Sequence, residues 1–92
     1  MNLVWTRPAH NDRKKIREYI AQHAPAAALA LDELFSEKAN LLVDHPNLGR
    51  DGRVVGTREL VARRNYILIY DMAGDVVRVL RVLHTARQWP PQ

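Results

Sequence analysis

The sequence predicts an α+β domain of order β-α-α-β-β-β, in which a helical hairpin packs on an antiparallel sheet ending in a three-strand meander. Three observations predict it. Two stretches with helical periodicity meet at Pro25 with almost no chain between them. Three β-branched runs in the second half are separated by turns short enough to force hairpins. The chain has 92 residues and is 47% hydrophobic, which fits a single domain (residues 1–92) with a real core and argues against disorder.

Asn2 to Thr6 (NLVWT) is short and apolar and reads as the first strand, bounded by Arg7-Pro8. Thr6 is placed to cap a helix and Pro8 to sit in its first turn, where a missing N–H costs nothing. Ala9, Ile16, Tyr19 and Ile20 then recur at helical spacing, with Arg13, Lys14, Arg17 and Glu18 on the other side. Pro25 disfavours helical geometry at Ala24, so this helix stops near His23. The second helix opens at Pro25 and is rich in strong helix formers. Its stripe is Ala27, Ala28, Leu31, Leu34, Phe35, Leu41 and Leu42, and Asp44-His45-Pro46 ends it. With so short a connection the two helices form an antiparallel hairpin.

Asn47 to Arg53 is polar and glycine-bearing, a loop by every local signal. Strands are expected over Val54 to Ala62, Tyr66 to Tyr70 and Val76 to His84, joined by turns at Arg63-Arg64-Asn65 and Met72-Ala73-Gly74-Asp75. Strict alternation puts Val77, Val79, Arg81 and Leu83 on one face of the last strand, and Val76, Arg78, Leu80, Val82 and His84 on the other. One sheet face should meet the helices, leaving an arginine-marked face partly open. The stretch from Asn65 to Arg87 therefore delivers cationic groups to one end of the sheet, where function is expected.

Charge sharpens this. Met1 to Leu48 carries six basic and six acidic residues and is neutral, whereas Gly49 to Gln92 carries eight arginines against four acids. Arginine suits bidentate contact with phosphate or carboxylate, so an anionic partner competes with the plainer reading of a solvated basic surface. The absence of cysteine excludes disulfides and thiolate–zinc sites, and no metal or cofactor is expected. No apolar run is long enough to span a membrane and no secretory signal opens the chain, so a cytoplasmic protein is expected.

Four motifs in order then resemble one family. Ala9, Asp12, Ile16, Tyr19, Ile20, Ala21, Pro25, Ala26 and Ala27 are similar to the opening helix of ParE-like toxins. The loop HPNLGRDG (His45 to Gly52) and the runs TRELVARRNYILIY and VLRVLHTAR are similar to the segments that follow it in the RelE/ParE superfamily of type II toxins. The resemblance implies a growth-arresting toxin of an addiction (plasmid-stabilisation) module. It also implies neutralisation in a hetero-oligomer by an antitoxin whose acidic or amphipathic segment folds on binding. The edge of the first strand could receive that segment, with Trp5 either an anchor or a core aromatic.

The superfamily divides by mechanism, and the resemblance leaves both branches open. ParE-like members bind and poison DNA gyrase. RelE-like members cut mRNA on the ribosome, which requires deprotonating a 2′-hydroxyl and stabilising the phosphorane. In that case His84 is the acid or base and Arg81 and Arg87 bind phosphate, unless His84 merely hydrogen-bonds to backbone. Arg58, Arg78, Arg81, Arg87, Trp5 and Trp89 are the candidates for holding target or antitoxin, although Arg58 could simply pair with Glu59. His10, His23 and His45 fall at helix ends, where capping or solvation is the plainer role. Tyr66 and Tyr70 could be core or catalytic. Two departures favour the ParE-like branch. Ile67 stands near where RelE-like enzymes carry an arginine, and the tail Gln88-Trp89-Pro90-Pro91-Gln92 offers neither a helix nor a tyrosine. A small arginine-rich RNA-binding domain is the reading outside the family.

Overall fold

A computed structural model describes residues 1–87, 89 and 90. Its elements are β1 (Asn2–Trp5), α1 (Arg7–Ala21), α2 (Pro25–Asp44), β2 (Arg50–Asp51), β3 (Arg58–Arg63), β4 (Tyr66–Ala73) and β5 (Val76–His84). The strands form one sheet in the order β1-β5-β4-β3-β2. β1 runs parallel to β5 and every other pairing is antiparallel. The expected α+β order is present, with one short strand added. The tail reading also covers Gln88, Pro91 and Gln92, which lie outside the described residues.

α1 starts where expected because Thr6 does two jobs. Its hydroxyl accepts from Ala9 N at 3.3 Å and lies 3.0 Å from both the Val79 and Leu80 carbonyls, so the cap also ties the helix to β5. α2 has no side-chain cap and begins on Pro25. Both helices lie on one face of the sheet. Ala9, Leu31, Phe35 and Ala39 meet Ala62, Leu68, Val79 and Val82 there, with Trp5, Ile16, Ile20 and Leu34 at the margin. The stripe expected on α2 is corrected at three positions: Ala39 is buried, while Ala27 and Leu41 are exposed. On α1, Tyr19 is 73% exposed rather than packed.

Three strand expectations are also corrected. The loop after α2 contains β2, whose Arg50 and Asp51 pair with Glu59 and Arg58. Val54 to Thr57 is not strand. Gly56 there takes φ +87°, a conformation that leaves the ladder, and Val55 is fully exposed. Strict alternation on β5 fails because of a bulge: Ile69 pairs with Arg81 and Tyr70 with Val79, leaving Leu80 as the extra residue. Val82, not Arg81, therefore shares the helix-facing side with Val79.

The outer face carries a second apolar cluster, Ile67, Ile69 and Leu83, with Leu80 and Trp89 packed against it. At the β2 end, Tyr70 is fully buried and fastens the loop after α2. Its hydroxyl donates to Pro46 O at 2.7 Å and accepts from Gly49 N at 2.9 Å. Gly49 is required here, since a Cβ would lie 2.8 Å from the Tyr70 ring and 2.9 Å from a backbone oxygen. Among the described residues, no helix is long and apolar enough to cross a membrane.

Candidate functional site

β1 is shorter than β5, and the site grows from that mismatch. β1 ends at Trp5, opposite Val79, so β5 runs on with an edge that no strand covers. α1 fills it with a carboxylate. Asp12, 6% exposed, accepts from Val82 N at 3.0 Å and from Arg81 Nε and Nη2 at 2.7 and 2.9 Å. The backbone N–H thereby gains the acceptor a neighbouring strand would have supplied. The guanidinium is held in a two-pronged pair, and these hydrogen bonds, ahead of the opposing effect of burial, hold Arg81 more firmly protonated than a free arginine.

Beyond Asp12, helical spacing presents Lys15, Ile16 and Tyr19 on the same side of α1. The opposing wall is the last row of the sheet, where Tyr66 faces His84. Their rings meet edge-on at 5.1 Å, and Phe35 braces Tyr66 at 5.7 Å. Val82 and Arg87 complete a cleft of about 270 Å³ with an apolar floor and a cationic mouth. Asp12 is the one acid in its lining, and both of its oxygens are already bonded.

His84 is exposed, and its Nδ1 accepts from Ala86 N at 3.1 Å. That bond assigns the proton of the neutral ring to Nε2, which makes the side chain a donor toward solvent. In that tautomer the Nδ1 lone pair is engaged and Nε2 is left to donate.

The structure brings together only part of the expected set. His84 and Arg87 share the cleft, with Arg81 beside it but committed to Asp12. Arg78 lies farther along the outer face in a bidentate pair with Asp71, at 2.8 and 2.6 Å. Arg58 is at the opposite end of the sheet, donating to Gly49 O at 2.6 Å, with Asp51 at 3.7 Å. It does not pair with Glu59, because adjacent strand residues face opposite ways. Glu59 instead is buried on the outer face. Burial would raise its pKa, but the Arg53 backbone N–H at 3.0 Å, the Arg53 guanidinium and Arg50 together hold the carboxyl below the usual glutamate range.

Trp5 packs, partly buried, at the margin of the helix-side core, with the Arg13 guanidinium 4.4 Å above its ring. Trp89 lies under the outer face, 5.9 Å from Arg81. Tyr70 is structural, whereas Tyr66 reaches the cleft. Sequence reasoning missed Asp12, Lys15 and Tyr19 as site residues. The available signal was a lone acid within the apolar stripe of α1, at a spacing that stacks it below Ile16 and Tyr19. Among the described residues, no three His, Asp or Glu side chains converge as a metal site.

Comparison with known proteins adds lineage to this geometry. Residues 3–89 match the family model of the ParE toxin of the type II toxin–antitoxin system parDE. A candidate toxin of Sinorhizobium fredii, Y4kP, is 37% identical over 89 residues, covering 96% of this chain and 92% of that protein. Toxin RelE2 of Caulobacter vibrioides is 35% identical over 85 residues, covering 92% and 96%. Among solved structures, a chain of the chromosomal ParDE toxin–antitoxin system from P. aeruginosa superposes with TM-score 0.82 at 27% identity, covering 91% of this chain and 95% of that one. The E. coli DinJ–YafQ toxin–antitoxin complex contains a chain of the same fold, with TM-score 0.59 at 18% identity and 96% coverage of each.

Proposed function

Because the chain belongs to the ParE toxin family of type II toxin–antitoxin systems, we propose that it arrests growth by binding DNA gyrase, with no bond-making chemistry of its own. The observation that carries this reading is the state of the outer sheet face. Where a RelE-like nuclease would carry a cation on the penultimate strand, Ile67 is 2% exposed and packed among Ile69, Leu83, Leu80 and Trp89. An apolar, covered surface cannot clamp a phosphorane. The bonding of Arg81 to Asp12 and of His84 Nδ1 to Ala86 N supports the same reading, since both withdraw groups that cutting RNA would need. Its site of action is then the cytoplasm, where gyrase works.

The partner that restrains it is an antitoxin, as in the ParDE and DinJ–YafQ systems that share the fold. β1 is an edge strand with Val4 45% exposed, so an extended acidic segment could add to it. The test of the gyrase reading uses purified toxin with gyrase and plasmid DNA. Inhibited supercoiling and accumulated cleavage complexes are expected, and unchanged levels of both at large toxin excess would end it.

A second reading is favoured by one observation: His84, Arg87 and Lys15 share an open cleft. In it the chain is a ribosome-dependent mRNA interferase, with His84 as acid or base. His84→Ala would then abolish toxicity while leaving fold and antitoxin binding intact. The gyrase reading expects toxicity to survive that substitution.

A further inference from the structure

The position of the unpaired arginines carries a further step. In the basic half of the chain, Arg50, Arg53, Arg58, Arg78 and Arg81 are each within ion-pair distance of an acid. Arg63, Arg64 and Arg87 have no acid partner among the described residues, and all three gather at one end of the sheet. Arg63, Tyr66 and His84 are register partners across β3, β4 and β5, so Arg63 and His84 stand two strand spacings, about 10 Å, apart. Arg64 occupies the adjoining turn, which Thr85 N ties to the segment bearing Arg87 through a 2.8 Å bond to Asn65 O. Lys15 of α1 adds a fourth cation across the cleft.

Aromatic rings stand among these charges. Tyr19, 73% exposed, and the exposed His84 line the cleft together with Ile16 and Val82. We propose that this end of the sheet binds single-stranded nucleic acid, with phosphates on Arg63, Arg64, Arg87 and Lys15 and a base on the Tyr19 ring at the mouth of the cleft. Cations tracking a backbone, interleaved with exposed rings, are what unstacked strands use. A duplex keeps its bases stacked inside and could not reach the rings. An acidic protein segment could use the same cations but does not require exposed aromatic side chains beside them. The inference rests on the gyrase reading only for the source of the strand, which would be DNA that gyrase holds open.

The test is fluorescence anisotropy of the whole chain with a labelled thymidine oligonucleotide of about fifteen nucleotides, measured across salt concentrations. The triple variant Arg63→Ala, Arg64→Ala, Arg87→Ala is expected to weaken binding about tenfold or more and to flatten the salt slope by about two. Tyr19→Ala should weaken single-strand binding several-fold with an unchanged slope, and Arg7→Ala with Lys14→Ala should change little. Wild-type binding by the triple variant would overturn the proposal, as would equal affinity for the duplex. So would an acidic peptide of equal charge that displaces the oligonucleotide as well as unlabelled oligonucleotide does, which would assign the surface to a protein segment. A chain that binds single strands but leaves gyrase untouched would keep this site and lose only the gyrase reading.

Discussion

Asp12 decides what Arg81 can do. Its two carboxylate oxygens engage Nε and Nη2 of the guanidinium and one backbone N–H, so two of the arginine's donors are spent within the fold. Asp12→Ala would leave Arg81 without its partner and the Val82 N–H without an acceptor, and is expected to cost about 2–4 kcal/mol of stability. Asp12→Asn retains a carbonyl oxygen for Val82 and should cost less. Urea denaturation of the two variants checks this, and equal losses would contradict the role assigned to the backbone bond. Tyr70 is the comparable residue at the other end of the sheet. Tyr70→Phe removes both bonds to the Pro46–Gly49 loop and should destabilise by about 1–3 kcal/mol in the same measurement, because the Gly49 N–H is left buried without an acceptor.

Among the elements, β5 and the β2–β3 corner depart most from simple pattern reading. On β5 a single extra residue, Leu80, turns the alternation over, moving Val82 to the helix side. No residue type in VVRVLRVLH marks that bulge, because every position is acceptable on a strand buried on both faces. At the β2–β3 corner Glu59 gathers Arg50 and Arg53 from the loop onto the sheet. Its folded pKa lies below its unfolded one. The stabilisation is therefore fully present above the ordinary glutamate pKa and is lost as pH falls through the depressed folded value. Stability measured from pH 6 down to pH 3 should fall more steeply for the wild type than for Glu59→Gln, and parallel curves would remove Glu59 as the cause. α1 and α2, by contrast, lie close to expectation because their boundary signals are local: Thr6, Pro8 and Pro25 act on the adjoining turns alone.

For the whole molecule, the end of the chain closes both faces of the sheet. His84 packs on Tyr66 beside the helices, and Trp89 covers the outer cluster of Ile67, Ile69 and Leu83. Truncation after Leu83 is expected to abolish toxicity in a growth assay and to expose that cluster to a hydrophobic dye; a folded, fully toxic truncate would contradict this. The element order, the helical hairpin, the basic second half and the family resemblance were all legible in the residues, since each depends on neighbours a few positions away. That His84 and Arg87 would stand together at one end of the sheet was legible for the same reason. Which arginines remain available was not. Arg81 meets Asp12 across 69 positions of chain and Arg58 meets Gly49 across nine, whereas Arg63, Arg64 and Arg87 stay unpaired among the described residues because no acid is folded against them. Local spacing sets helices, turns and net charge, but the pairing of charges depends on three-dimensional distance, and only the folded chain brings Asp12 to the uncovered edge of β5.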